Sequence, residues 1–231
     1  MTFVQIIDCK TDKIDEMNRL MDSWAEATKG RRTATHSLMA RDRSDSTHVL
    51  EIVEFPSYEE AMENSKLPET DRIFREMVAL CDGEPTFTDL DVVRDDQLNK
   101  LVVRSFVDEV INKGDSGAAD RLCTPDYREH DPSQPSYDVD LAAAKEANRE
   151  IMEAFRPTCT IEELVAEGDT VCLRMSFKGR HVGPYQGVEP TGRDITGTGH
   201  ATFRCRGGLI AESWWNVDDM GVMRQLGVVE G

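Results

Sequence analysis

Residues 207–228 read GGLIAESWWNVDDMGVMRQLGV, and this stretch decides the fold of the C-terminal half of the chain. It opens with a Gly-Gly pair, which is typical of a tight turn. An apolar run that is typical of a β-strand then continues to Val217. Asp218 follows at the point where a helix would begin, and Asp is a preferred N-cap residue. The stretch therefore predicts a turn, an outgoing strand and a closing helix over 219–225.

The residues upstream of this stretch divide into helices first and strands afterwards. Helical periodicity and turn signals predict three helices, over 98–113, 117–123 and 140–154. Three long strands are expected before the outgoing one, over 158–166, 169–178 and 194–206. The prolines and aspartates of TPDYREHDPSQPSYD predict a loop over 124–138. Helices followed by a curved antiparallel sheet indicate an α+β cone.

The first half of the chain has a different element order. Its periodicities predict, in chain order, a strand at 3–8, a helix at 12–29 with Gly30 as its C-cap, strands at 33–41 and 47–55, a helix at 57–81 broken near Pro68, and a strand at 86–93. The order β-α-β-β-α-β is the ferredoxin-like motif. A polar connector, RDDQ at 94–97, then separates two α+β domains, 1–95 and 96–231.

The composition restricts the partners and the compartment. The formal net charge is −17, with 12 Lys and Arg against 21 Asp and Glu up to residue 95 and 15 against 23 beyond it. Evenly spread acidity disfavours nucleic acids and anionic membranes as partners. We expect no membrane span, because no apolar run approaches the required length. The six cysteines are scattered without a CxxC pair, which indicates reduced thiols in a cytoplasmic protein.

Four stretches of the second half follow, in order, the pattern of one known family. They are LVVRSFVDEVINKGD from residue 101, YREHDP at 127–132, GRHVGPYQGVEPTGRDI at 179–195, and the opening stretch at 207–228. On these motifs the second half resembles the SnoaL-like polyketide cyclases, which share a cone-shaped α+β barrel with ketosteroid isomerase. The resemblance implies a cofactor-free, aldol-type ring closure on an aromatic or polyketide-like small molecule. A SnoaL-like hydroxylase, an epoxide hydrolase and a non-catalytic small-molecule binding protein are the alternatives.

The first half resembles the dimeric α/β-barrel family that includes antibiotic-biosynthesis monooxygenases. The resemblance lies in the element order and in the segment VEFPSYEEAMENSKLPETDRIFREM, which is similar to that family's strand followed by a helix in two parts. It implies a homodimer, because one sheet face of such a domain packs on a second copy. No catalytic residue transfers to this half, and we expect a dimerisation module.

The candidate catalytic residues are one aspartate and three histidines. Asp218 matches the family's acid/base aspartate, and a shielded carboxylate is a stronger base because its pKa is raised. The alternative role for Asp218 is that of a simple helix cap. His130, His181 and His200 could polarise a carbonyl or transfer protons near neutral pH, although single histidines are often structural. His200 would face the cavity only if its side of the strand points inward.

The candidate substrate-binding residues are aromatic, with one cation. Tyr127, Tyr185, Trp214 and Trp215 could line a pocket, and the two adjacent tryptophans must point to opposite faces of their strand. Arg174 could bind a substrate carboxylate or make a structural ion pair. We expect no metal and no organic cofactor, because the histidine spacing fits no zinc pattern and no Gly-rich phosphate loop follows a strand.

Overall fold

A computed structural model of the chain describes residues 2–93, 97–133 and 136–229. The chain forms two compact units, Met1–Asp95 and Asp96–Gly231. In the ranges that the structure describes, each unit combines helices with one sheet. Within the described ranges, no helix is both long enough and apolar enough to cross a bilayer.

The first unit has the ferredoxin-like topology that its element order predicts. Its elements are β1 (Phe3–Lys10), α1 (Ile14–Ala27), β2 (His36–Arg41), β3 (His48–Phe55), α2 (Tyr58–Ser65), α3 (Pro68–Leu80) and β4 (Thr86–Asp91). The strands lie in the order β2-β3-β1-β4, and every neighbouring pair is antiparallel. Successive side chains of each strand point alternately to the sheet face that the helices cover and to the open sheet face.

Local chemistry explains where the helices of this unit begin and end. Ser57 Oγ accepts the backbone N–H of Glu60 at 3.3 Å and so caps α2. Pro68 starts α3, because proline is tolerated at the first helical position and cannot continue the preceding helix. The predicted C-cap at Gly30 is wrong: α1 ends at Ala27 with Thr28 as its C-cap, and Gly30 takes its positive φ of 75° in the following turn.

The second unit is a six-stranded sheet that curves around helices. Its elements are α4 (Leu98–Ser105), a π-helical segment (Phe106–Asn112), α5 (Ser116–Leu122), β5 (Cys123–His130), β6 (Asp138–Asp140), α6 (Leu141–Phe155), β7 (Thr158–Glu167), β8 (Thr170–Arg180), β9 (Asp194–Arg206), β10 (Leu209–Val217) and α7 (Asp219–Leu226). The strand order is β6-β5-β10-β9-β8-β7. The α+β cone expected from sequence is confirmed.

One predicted loop is a strand. Residues 124–130, expected to be irregular, belong to β5, which pairs in parallel with β10, so the sheet is not purely antiparallel. Pro125 misled the prediction because proline cannot donate to a ladder. The ladder tolerates it, since the register between β5 and β10 is irregular between Ile210 and Glu212. Tyr127, only 1% exposed, ties the strand to the core.

Alternation in β9 and β10 separates the inside of the cone from its outer surface. Ala201 and Phe203 are buried inside, whereas His200 lies exposed on the opposite face. Gly197, on the inner face, leaves room for an aromatic ring, because a Cβ there would lie 2.3 Å from Phe177 Cζ. The sheet thus presents a concave apolar surface toward the helices.

Candidate functional site

A cavity of about 170 Å³ lies inside the cone of the second unit. The inner face of the sheet forms one side, and the π-helical segment, α6 and α7 contribute the others. Most of its wall is aliphatic or aromatic, including Phe106, Val110, Phe155, Met175, Phe177 and Trp215. An apolar cavity with a few polar groups is the usual form of a small-molecule site.

The π-helical segment shapes one wall of this cavity. Its wider turn brings Phe106, Val110 and Ile111 to the cavity side. Asn112 anchors the end of the segment to β7: its Nδ2 donates to the Cys159 carbonyl at 3.0 Å, and its Oδ1 accepts the Cys159 N–H at 2.7 Å. π-Helical turns are rare and often occur at functional sites.

A buried hydrogen-bond network joins β5 to β10 at the cavity wall. Tyr127 Oη donates to Glu129 Oε2 at 2.8 Å and lies 2.7 Å from Ser213 Oγ. Ser213 Oγ also accepts the Trp215 Nε1–H at 3.0 Å. Burial raises the pKa of the Glu129 carboxyl, and the Tyr127 hydroxyl opposes that shift. Glu129 is therefore held in place with its proton affinity increased.

Two aspartates form a second acidic group on the cavity wall. Asp131 follows β5, and its Oδ1 accepts the backbone N–H and hydroxyl of Ser133 at 2.8 and 2.7 Å. Asp219 is the first residue of α7 and also lines the cavity. Burial, and then the charge of Asp131, raise the pKa of the Asp219 carboxyl. A carboxylate in this environment is a stronger base than one in water.

The structure places Asp218 outside the cavity. Its side chain is exposed, and its Oδ1 accepts the Gly221 N–H at 2.9 Å, which caps α7. This geometry matches the helix-cap alternative. A catalytic role for Asp218 stays a prediction from sequence, whereas the cavity receives the adjacent carboxyl, Asp219.

None of the three candidate histidines lines the cavity. His200 is exposed on the outer face of β9. His130 also lies outside, with its Nε2 2.9 Å from Glu212 Oε1 and its ring stacked on Trp214 at 5.1 Å. His181 is fully buried behind the wall, where its Nδ1 accepts the Thr191 N–H at 3.2 Å. The cavity therefore receives carboxyls from β5, from the residue after β5 and from α7, and none of these three imidazoles.

The candidate binding residues divide between the two faces. Tyr127, Tyr185 and Trp215 line the cavity, and burial raises the pKa of Tyr185 to about 12. Trp214 points outward, as expected for the neighbour of an inward Trp215, and carries Arg204 over its ring at 5.0 Å. Arg174 is also outside the cavity, with its Nε 3.0 Å from Glu163 Oε2, which is the structural ion pair considered as its alternative.

Three cavity carboxyls were missed from sequence, namely Glu129, Asp131 and Asp219. Had residues 123–130 been recognised as a strand, alternation from Tyr127 would have placed Glu129 on the same face. In the described part of the chain, no three His, Cys, Asp or Glu side chains are grouped as metal ligands. The carboxyls that line this apolar cavity can exchange protons with a bound molecule.

The second unit is similar to known proteins in sequence and in structure. The profile of the family described as SnoaL-like polyketide cyclase matches residues 101–226. TsrD from Streptomyces laurentii is 29% identical with a TM-score of 0.51, and the match covers 59% of this chain and 100% of TsrD.

Two further solved structures resemble the same part of the chain. IdmH from Streptomyces antibioticus, a candidate polyketide cyclase, is 28% identical with a TM-score of 0.51, covering 56% of this chain and 99% of IdmH. A candidate SnoaL-like polyketide cyclase from Jannaschia sp. CCS1 is 23% identical with a TM-score of 0.54, covering 61% and 99%, and shows the fold alone. No curated protein sequence matches the chain. Because the profile spans more than half of its residues, the chain belongs to the SnoaL-like polyketide cyclase family.

Proposed function

We propose that the second unit closes a ring in a polyketide-like small molecule by acid–base catalysis inside the cavity. The observation that carries this proposal is that Glu129 of β5 and Asp219 of α7, two carboxyls with raised pKa values, line the same apolar cavity. Separate carboxyls in a shielded cavity are suited to be a base and an acid in one reaction. The similarity to IdmH, named as a candidate cyclase, supports the same chemistry.

The proposed step is an intramolecular aldol reaction. Asp219 removes a proton from a carbon between two carbonyl groups, and the electron pair left behind forms an enolate. The enolate carbon attacks a second carbonyl carbon, a C–C bond forms, and the electron pair of the broken C=O π bond moves to its oxygen. Glu129, in its protonated form, gives that oxygen a proton. The substrate is converted into an isomer, so the step needs no oxidant or reductant.

The aromatic walls suit this substrate class. The rings of Phe106, Tyr185 and Trp215 would contact a flat polyketide chain and hold it folded, with its reacting carbons close together. Three carboxyls line the cavity against one cation, Lys145, which is itself paired with Asp120, so a free carboxylate near the reacting carbons is disfavoured. Uncharged poly-β-carbonyl compounds, offered as short thioesters, are therefore the first substrates to test.

Product mass separates the proposed reaction from its alternatives. Purified protein is incubated with thioester-linked poly-β-carbonyl chains, and products are analysed by mass spectrometry. The proposal expects a ring product of unchanged mass, or of that mass less one water after dehydration. A product that has gained one oxygen would indicate a hydroxylase, and a diol formed from an offered epoxide would indicate an epoxide hydrolase. Ligand binding without conversion would indicate a binding protein. Each of these three results contradicts the proposal.

A pair of variants on α6 tests whether the reaction takes place in the cavity. Ala147 lines the cavity, whereas Ala143 is exposed on the same helix. Ala147→Trp should fill the cavity and abolish conversion, because the indole ring occupies the substrate's space. Ala143→Trp, the matched control, should retain activity. Wild-type activity in both variants would show that the reaction occurs elsewhere.

We also propose that the first unit makes the protein a homodimer. The helices of this unit cover one face of its sheet, and the other face carries apolar side chains, namely Val4, Ile6, Leu38, Leu50, Ile52 and Leu90. A second copy is the proposed occupant, because an apolar face of one sheet is complementary to an identical face across a two-fold axis. Analytical ultracentrifugation at micromolar concentration should give twice the mass of the chain, and a monomer mass would contradict this proposal.

A further inference from the structure

A groove of about 930 Å³, the α6 groove, adjoins the cavity of the second unit. The helix α6 forms one side of the groove, and residues 112–116 and 156–158 form the other. Three residues, Lys145, Asn148 and Pro157, line both the groove and the cavity. A molecule that is too long for the cavity can therefore continue into the α6 groove.

The size of the cavity requires such a continuation for the proposed substrate. The cavity volume of about 170 Å³ is close to the roughly 150 Å³ that holds one benzene ring. A poly-β-carbonyl chain is longer than one ring, so its reacting carbons occupy the cavity and the rest of the molecule lies outside. Asn148 is fixed at the boundary, because its Nδ2 donates to the Val110 carbonyl of the π-helical segment at 3.0 Å.

The α6 groove contains one cation, Arg156, that has no carboxylate partner among the described residues. The other two cations of the groove are paired, Lys145 with Asp120 and Arg149 with two glutamates of α6. The side chain of Arg156 is exposed. A guanidinium presents N–H donors in a planar fork that matches the two oxygens of a carboxylate. The groove can therefore bind a single negative charge.

The backbone conformation of Arg156 is unusual for its residue type. Its φ of 45° and ψ of 55° lie in the left-handed region, at the C-terminal end of α6. Glycine normally occupies such a position, because it has no Cβ. Arg156 also precedes Pro157, and a residue before proline favours an extended conformation. An arginine is costly at this position, so its presence indicates a role for the side chain.

The contacts around Arg156 hold this conformation in place. The Val182 N–H donates to the Ala154 carbonyl at 2.8 Å. Gly179 of β8 lies so near that a Cβ on it would be 2.8 Å from the Phe155 carbonyl oxygen. Phe155 itself lines the cavity. The end of α6 is therefore fixed, and Arg156 is anchored next to the cavity wall.

We infer that the α6 groove binds the tail of an elongated substrate, and that Arg156 pairs with a carboxylate at the end of this tail. The inference rests on the proposed function for the part of the substrate that enters the cavity. Carboxyls inside the cavity repel a carboxylate and Arg156 attracts one, so the carbonyl groups of the substrate are directed inward. Glu146 and Glu153 also line the groove and disfavour a second negative charge, so a phosphate dianion fits less well.

Fluorine NMR of the full chain labelled with 5-fluorotryptophan measures binding without turnover. Trp215 lines the cavity, and a Trp215→Phe variant identifies its signal among those of the three tryptophans. The probes are 6-phenylhexanoate, 6-phenylhexanamide, 6-phenylhexyl phosphate and benzoate. Conversion of a substrate together with equal binding of the acid and the amide would contradict this inference alone. Selective binding of the acid without any conversion would contradict the proposed function alone.

Saturable movement of the Trp215 signal by 6-phenylhexanoate is the expected result. Its Kd should be about 2- to 5-fold lower than that of the amide, the usual gain from an exposed ion pair. Benzoate would carry its charge into the cavity and should bind more weakly than the amide. The inference is overturned if no probe moves the signal, if the acid and the amide bind equally, or if benzoate or the phosphate binds more tightly than 6-phenylhexanoate.

A matched pair of variants assigns the selectivity to Arg156. Arg156→Gln should abolish the preference for the acid over the amide. Arg104→Gln on α4 removes the same charge outside the groove and should keep the preference. An unchanged preference in Arg156→Gln would exclude Arg156 as the partner of the carboxylate.

The variant Arg156→Gly separates ligand binding from stability. Glycine adopts the left-handed conformation without strain, so the Tm should not fall, whereas the preference for the acid should be lost. A lowered Tm with an unchanged preference would assign Arg156 to the stability of the helix end and would overturn the inference.

Discussion

Ser213→Ala should destabilise the second unit, because Ser213 joins two of the side chains that form the cavity wall. Its hydroxyl is fully buried, lies 2.7 Å from Tyr127 Oη and accepts the Trp215 Nε1–H at 3.0 Å. Alanine removes both hydrogen bonds, each worth roughly 0.5–1.5 kcal/mol net. Tyr127 keeps its bond to Glu129. We therefore expect the free energy of unfolding to fall by about 1–3 kcal/mol.

Urea denaturation followed by tryptophan fluorescence measures this change. A Trp24→Phe background removes the signal of the first unit and leaves the two tryptophans of β10. Ser176→Ala is the matched control: Ser176 lies on β8 and bonds Glu162 at the surface, so its loss should cost at most about 0.5 kcal/mol.

A double-mutant cycle identifies the bond responsible. In a Trp215→Phe background, Ser213→Ala should cost about 0.5–1.5 kcal/mol less, because the indole donor has already been removed. Equal costs for Ser213→Ala and Ser176→Ala would refute the reasoning, since the buried network would then contribute nothing to stability.

Three further perturbations have defined outcomes. Ile52→Glu should convert the proposed homodimer to a monomer in analytical ultracentrifugation by placing charge on the open face of the first sheet, whereas Glu54→Gln on that face should leave the proposed dimer intact. Asn112→Ala should lower the free energy of unfolding by about 1–3 kcal/mol in urea denaturation, because two bonds to the Cys159 backbone are lost. Glu51→Gln should stabilise the first unit in urea above pH 4.5, the ordinary pKa of the carboxyl, because burial penalises ionised Glu51. The gain in the free energy of unfolding should grow with pH until the raised folded-state pKa of Glu51 is passed. Below pH 4.5 no gain is expected.

Hydrophobic periodicity predicted most of the fold, because helices and strands that bury one face carry apolar residues at the spacing of that face. The strands β7 to β10 were found in this way. The strand β5 was missed, since its parallel partner β10 lies far away in sequence and Pro125 gives a strong local loop signal. Long-range pairing of this kind leaves little trace in the residues of the strand itself.

The candidate site was harder to predict than the fold. Alternation correctly separated Trp214 from Trp215, but it could not tell which face of β9 is inside, and His200 lies outside. Of the two adjacent aspartates, the motif selected Asp218. Only the geometry at the start of α7 shows that Asp218 caps the helix while Asp219 lines the cavity.

Turnover of the Asp218→Asn and Asp219→Asn variants, measured side by side on any substrate that the wild type cyclises, tests the proposed base most directly. Asparagine caps a helix about as well as aspartate, so Asp218→Asn should keep near wild-type stability and turnover. Asp219→Asn should keep the fold and ligand binding but lose about 10²–10⁴-fold in turnover, the usual contribution of a general base. Full activity of Asp219→Asn, or a comparable loss confined to Asp218→Asn, would contradict the assignment of the base to Asp219.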